Sequence, residues 1–141
     1  MRPLVVDASV WVSAAGPGDG TSEPSQVFLS VVAKRRHPVA LPEFAELEIA
    51  CALSRRLRSP QQGRVFARRA AESPLVTTHP LSQALLQRAV AEGTERFLRA
   101  GDAIYAAVAE AVDGEIVSWD KELVNRAGAV TPEEWVARYA G

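Results

Sequence analysis

The chain is short of cysteine, histidine and lysine, and each shortage removes a class of explanation. Cys51 is the single cysteine in 141 residues, so no intrachain disulfide can form and no thiolate pair exists to hold zinc. The two histidines, His37 and His79, each precede proline at the edge of a predicted strand, which places them in turns and leaves no histidine positioned as a general base. Long apolar runs are missing too: none approaches the roughly eighteen residues that a membrane span requires. The first predicted strand begins within three residues of Met1, leaving no room for a charged region, an apolar stretch and a cleavage site. The expectation is a soluble protein of the reducing cytoplasm. At this length one domain over residues 1–141 can bury a sizeable core without staples.

Charge is present in both signs but unevenly. The net charge is −1, yet Lys34 to Arg69 carries nine basic residues against three acidic ones, and the remainder carries seven against fourteen. A basic stretch beside an acidic one suits a protein that must draw phosphates toward carboxylates that would repel them. Solvated helix faces would give the same counts.

Strand and helix signals alternate along the chain. Arg2 to Val6 reads as a buried strand and Ser22 to Arg35 as a helix, with Gly16-Pro17-Gly18-Asp19-Gly20 as the surface loop between them. His37 to Leu41 is a second strand. Leu41-Pro42 starts a helix that runs to about Arg58, and Ser59-Pro60 caps the next. Leu75 to Thr78 reads as a third strand and Pro80 to Glu92 as a helix. Gly101-Asp102 opens a helix that Gly114 closes, and Glu115 to Trp119 is a fourth strand. A helix over Lys121 to Arg126, an Ala129-Val130 strand and a last helix capped by Thr131-Pro132 complete the pattern. Short apolar strands alternating with helices predict an α/β fold of three layers, α/β/α, around a mostly parallel sheet.

Four carboxylates fall where such a fold gathers side chains. Asp7 and Asp120 follow strands, and the C-terminal ends of parallel strands are where open α/β sheets bind ligands. Asp102 stands at a helix start and Glu48 within Leu47-Glu48-Ile49-Ala50-Cys51, on an apolar stripe with Phe44, Leu47 and Cys51. Asp7, Asp102 and Asp120 each have a simpler reading as helix caps. Glu48 does not, because a buried carboxylate needs a cation: a metal, or an arginine such as Arg55 or Arg99. Acids clustered without histidine or cysteine suit Mg²⁺ or Mn²⁺.

In this order the motifs resemble the PIN-domain family, and within it the VapC toxins of toxin–antitoxin pairs. Val5-Val6-Asp7-Ala8-Ser9 is similar to the family's opening strand, and Pro42 through Glu48-Ile49-Ala50 to Leu53 to its glutamate helix. Gly101-Asp102-Ala103-Ile104-Tyr105-Ala106 resembles its Asp-Ala-x-Tyr helix, and Ser118-Trp119-Asp120-Lys121-Glu122-Leu123 its Thr-x-Asp-x-x-Leu segment. Ser118 replaces the usual threonine but keeps the hydroxyl, and Trp119 is bulkier than the residue often found there. The resemblance implies a five-stranded sheet in the order 3-2-1-4-5 and an acidic pocket binding Mg²⁺ or Mn²⁺ through Asp7, Glu48, Asp102 and Asp120. It further implies RNA as substrate, a VapB-like antitoxin as partner, and a homodimer. Ser9 and Ser118 would orient the carboxylates.

Other classes remain open to the sequence. A phosphatase using Asp7 as nucleophile would carry a second aspartate two residues on, where Ser9 stands, and a lysine between Glu72 and Asp102, where there is none. A PIN-like nuclease outside a toxin–antitoxin pair, or a non-catalytic module that binds a basic peptide in the acidic pocket, would show the same carboxylates. Trp135, Val136 and Tyr139, with Val65, Phe66 and Leu86, are the apolar positions available for self-association.

Overall fold

Four short parallel strands form the centre of the protein in a computed structural model that describes residues 1–16 and 18–139. They are β1 (Leu4–Val6), β2 (Val39–Pro42), β3 (Val76–His79) and β4 (Glu115–Val117), in the spatial order β3-β2-β1-β4. The register sets Leu4 opposite Val39 and Glu115, and Val6 opposite Val117. Residues 4–6 of β1 are buried on both faces, as expected for a parallel sheet covered by helices.

Among the described residues eight helices surround these strands: α1 (Ala8–Ala15), α2 (Ser22–Arg35), α3 (Phe44–Leu57), α4 (Pro60–Glu72), α5 (Gln83–Arg96), α6 (Ala100–Val112), α7 (Lys121–Ala127) and α8 (Pro132–Ala137). Helix α6 lies across β1, β2 and β4 with α5 packed against it, while α1 to α4 and α8 pack among themselves as the second helical layer. Seven consecutive α6 residues, Ala103 to Ala109, are buried. A helix apolar all round belongs in the interior, and its alanines let it approach the sheet closely. The α3–α4 hairpin is equally close, since a Cβ at Gly63 would lie 2.6 Å from the Ala50 carbonyl oxygen. No helix among the described residues is long and apolar enough to cross a membrane.

Capping chemistry fixes several boundaries. Ser59 accepts from the Gln62 N–H ahead of Pro60, Ser82 from the Leu85 N–H and Thr131 from the Glu134 N–H. Helix α5 therefore starts at Gln83, after the expected Pro80. At the end of α6, Asp113 and not Gly114 takes the left-handed conformation, with φ 51°. Gly114 is required for a different reason: a Cβ there would sit 2.9 Å from the Pro3 carbonyl oxygen.

Three further expectations change. The expected fifth strand at Ala129-Val130 shrinks to one parallel bridge between Val130 and Val117, because Thr131-Pro132 begins α8 at once and proline has no N–H to extend a ladder. The expected order 3-2-1-4-5 thus becomes 3-2-1-4. His79 ends β3 instead of lying in a turn. Trp135 is core, not a surface for self-association: it is 1% exposed, with Phe28, His37 and Tyr139 rings 5.2, 5.4 and 4.8 Å from its own. His37 is buried beside it and bonds the Arg2 carbonyl through Nε2 at 2.7 Å. Of the loop Gly16 to Gly20, Pro17 lies outside the described residues. Asp19 in that loop is tied down by Thr21 and by Arg56 at 2.7 Å, which hold its carboxyl down at about 2.

Candidate active site

The parallel sheet puts the C-terminal ends of β1 and β4 side by side, and the acids gather there. Asp7 follows β1 directly, Ser118 follows β4, and Asp120 opens α7. Helix α6 brings Asp102 in its first turn, and α3 contributes Glu48 from its second.

Asp7 occupies the N-cap position of α1 but makes no side-chain cap. Its Oδ2 instead accepts hydrogen bonds from Ser9 Oγ at 2.7 Å and Ser118 Oγ at 2.8 Å. The capping explanation therefore fails for Asp7, and both serines hold the carboxylate in one orientation. Burial raises the Asp7 pKa, the two hydroxyls oppose that, and the Asp120 charge adds to it. Ser118 also accepts from the Asp120 N–H at 2.9 Å, so one hydroxyl ties two acids together. Truncation of that hydroxyl in Ser118→Ala is expected to lower any divalent-ion affinity of these acids by about tenfold, read by titration calorimetry with Mn²⁺, because such supports typically carry about 10–100-fold in affinity.

Asp120 does cap, but with one oxygen only. Oδ1 accepts from the Glu122 and Leu123 N–H groups at 2.8 and 3.2 Å, and Oδ2 is left to pair with Arg99. Ligand atoms of Asp102, Asp120 and Glu122 all lie within 4.8 Å of one another. Arg99 reaches all three: Nη2 is 3.2 Å from Asp102 and also contacts Asp120, and Nε is 3.2 Å from Glu122.

Glu48 stands apart from this trio. The buried stripe of α3 is Ala45, Ile49 and Leu53; Leu47 and Cys51 face solvent, so Glu48 flanks the core stripe and does not share it with them. Its sequence neighbours Leu47, Ile49, Ala50 and Cys51 are all apolar, so the helix rotation cannot be read from the pattern. Glu48 Oε1 is buried without a hydrogen-bond partner, and among the described residues neither Arg55 nor Arg99 forms an ion pair with it. Its pKa is raised by burial and by the Asp7 and Asp102 charges, with the neighbouring Tyr105 phenol opposing. Asp102 is likewise raised by burial and by Asp120, against the pull of Arg99. The Tyr105 phenol is pushed well up by burial and by Asp7 and Glu48, so it stays protonated, and its buried oxygen has no hydrogen-bond partner.

The structure thus groups Asp102 with Asp120, and places Asp7 and Glu48 within electrostatic reach of them. It adds Glu122, Arg99 and Tyr105. The Asp-x-Glu spacing at the α7 start and the one-turn spacing of Tyr105 from Asp102 are visible in sequence, but neither spacing says that the side chain enters the cleft. Trp119, unexpected for its bulk, is accommodated because its indole N–H donates to Ser25 Oγ at 2.7 Å on α2. An all-oxygen donor set of this kind, with buried oxygens of Glu48 and Glu122 left without a hydrogen bond, fits a hard divalent ion.

Comparison with known proteins agrees with this fold. The structure of PAE2754 from Pyrobaculum aerophilum superposes with TM-score 0.72 at 24% identity, covering 99% of this chain and 90% of that one. VapC20 of Mycobacterium tuberculosis, a toxin that cleaves the sarcin–ricin loop, gives TM-score 0.72 at 21% identity over 90% of this chain and 96% of its own. A toxin–antitoxin complex from Klebsiella pneumoniae gives TM-score 0.66 at 20% identity over 92% and 97%. No curated protein sequence matches the chain. The sequence pattern of the PIN domain, however, matches residues 4–129, and the chain belongs to the PIN-domain family, a family of nucleases.

Proposed function

We propose that the protein is a metal-dependent endoribonuclease and the toxin of a type II toxin–antitoxin pair. The observation that carries this reading is the convergence of acids from four separate segments at the ends of β1 and β4, with Glu48 Oε1 buried and unsatisfied among them.

Asp7, Glu48, Asp102 and Asp120, joined by Glu122, would hold Mg²⁺ or Mn²⁺. Such an ion lowers the pKa of a bound water and neutralises charge on a phosphodiester. The chain's own groups do the rest. Ser9 and Ser118 fix Asp7, the α7 N-terminus fixes Asp120, and the protonated Tyr105 phenol lies beside Glu48. Hydrolysis forms a bond from the water oxygen to phosphorus and breaks the P–O bond to the leaving ribose oxygen, which takes up a proton.

The raised carboxyl pKa values set a sign for the metal-free protein. A carboxylate raised by folding stabilises the fold fully below its unfolded value, about 4, and loses that contribution as pH rises through the folded value. Metal-free Glu48→Gln is therefore expected to melt a few degrees above the wild type at pH 7.5, roughly the shift of a change near 1 kcal/mol. The difference shrinks as pH falls toward 4, and Mn²⁺ raises the wild type more than the variant. Thermal melts at three pH values read this directly; a Glu48→Gln protein less stable at every pH would contradict the reading of Glu48 as an unpaired acid.

A VapB-like antitoxin is the partner this reading calls for. Arg99 supports it, since a guanidinium demonstrably fits among Asp102, Asp120 and Glu122, and a partner's arginine would find the same geometry. An apolar groove of about 390 Å³, lined by Trp11, Leu29, Leu53 and Phe66, offers a seat for the remainder of such a partner. Exposed Val65 and Leu86 support a homodimer, with Trp135 removed from that surface. Induced expression should arrest growth, and co-expression with the antitoxin should relieve it; unimpeded growth with the protein accumulating would count against the toxin role. This reading places the protein's action in the cytoplasm, where its RNA substrate and antitoxin would be.

A further inference from the structure

The cation already inside the acid cluster belongs to the chain itself. Arg99 sits at the N-cap position of α6, one turn ahead of Asp102, where its side chain makes no cap. It spans the cleft from α6 to α7, with Nη2 on Asp102 and Asp120 and Nε on Glu122. These are the same three carboxylates whose oxygens converge within 4.8 Å. Yet the arm is attached from outside: the Arg99 side chain is 67% exposed, while those of Asp102 and Asp120 are 14% and 22% exposed. It can leave without disturbing the core.

Resting on the metal-site reading above, we propose that Arg99 is a displaceable internal counter-ion that competes with the divalent ion for Asp102, Asp120 and Glu122 and, once displaced, binds the phosphate of the RNA. The two cations cannot share the cluster. An ion drawing on the oxygens that face the cleft takes the lone pairs that Arg99 now uses, and its double charge repels the guanidinium. The backbone of Arg99 stays where it is, at the rim, one turn from Asp102. A planar fork of N–H donors held there matches a phosphate's oxygens, and arginine suits that task better than lysine because it bonds two oxygens at once. Arg126 steadies the rim, donating to the Phe97 carbonyl at 2.6 Å and pairing with Glu122 at 3.4 Å, so the segment leading into Arg99 is anchored while its side chain is not. The arrangement gives the metal-free protein a partial counter-charge in its cleft and sets the threshold of metal concentration at which the site fills.

The test is Mn²⁺ binding to the purified full-length protein, followed by the free-ion paramagnetic resonance signal, for wild type, Arg99→Gln and Arg99→Lys. Arg99→Gln is expected to bind Mn²⁺ about tenfold more tightly, because the competing ion pairs are gone. It should melt lower than wild type without metal and regain the difference when Mn²⁺ is added. At saturating Mn²⁺ its kcat/KM on RNA should nonetheless fall through KM, with a shallower salt dependence, and Arg99→Lys should lie between. Equal or weaker Mn²⁺ binding by a folded Arg99→Gln protein would overturn the competition. Tighter binding with an unchanged KM would overturn the phosphate role. Mn²⁺ binding by neither protein would instead remove the metal-site reading on which the proposal stands.

Discussion

Asp102→Asn is expected to lower kcat/KM for RNA cleavage by at least about a hundredfold, the order seen when one preorganised electrostatic group is lost from an active site. Asparagine keeps the shape of the side chain and one oxygen, so the change is in charge. That charge matters because Asp102 is the hub of the cluster: it shares Arg99 with Asp120, lies within 4.8 Å of Asp120 and Glu122, and raises the pKa of Glu48. The fold has little to lose. The Asp102 pKa is itself raised by burial and by Asp120, so removing its charge relieves repulsion in the metal-free state. The expected result is thus a variant that melts no lower than the wild type, binds Mn²⁺ weakly and barely cuts RNA. Full cleavage by a variant that retains its metal would remove Asp102 from the mechanism.

The second large effect is structural. Trp135→Ala should cost about 3–5 kcal/mol, the range for truncating a large buried aromatic. Helix α8 has six residues and would not persist alone. Its anchor is the Trp135 indole, set edge-on against Phe28 of α2 and His37 ahead of β2, with Tyr139 on its outer side and Arg35 3.8 Å over the Tyr139 ring. Removing it uncovers Phe28, which is 0% exposed. Against a typical total of about 5–15 kcal/mol, this is a large fraction, measurable by urea denaturation. A loss below about 1 kcal/mol would show that α8 is dispensable to the core.

Trp135 also marks what the sequence conceals. Its period on a six-residue helix gives too few turns to distinguish an inward face from an outward one, so surface and core looked alike. The short strands β1, β2 and β4 were legible because continuous apolar runs bounded by polar residues have few alternatives. Helix α1 was not, since Val10-Trp11-Val12 carries the β-branched and aromatic residues of a strand and only the tertiary setting turns it into a helix. The rotation of α3 was unreadable around Glu48 because apolar residues surround it in sequence on every side. Among the site groups, acids at strand ends were visible from topology alone. Glu122, Tyr105 and the placement of Arg99 depend on how α6 and α7 face each other, which no single segment encodes. The family resemblance stated from four ordered motifs is matched by the domain pattern over residues 4–129.

Cleavage of a mixed RNA pool by the purified protein, with Mg²⁺ or Mn²⁺ and with EDTA, tests the central claim most directly. The account predicts discrete fragments that require the metal, vanish with EDTA and return when Mn²⁺ is restored. Fragments that persist undiminished in EDTA, or no cutting of any RNA by a protein that demonstrably holds Mn²⁺ in this cluster, would contradict it.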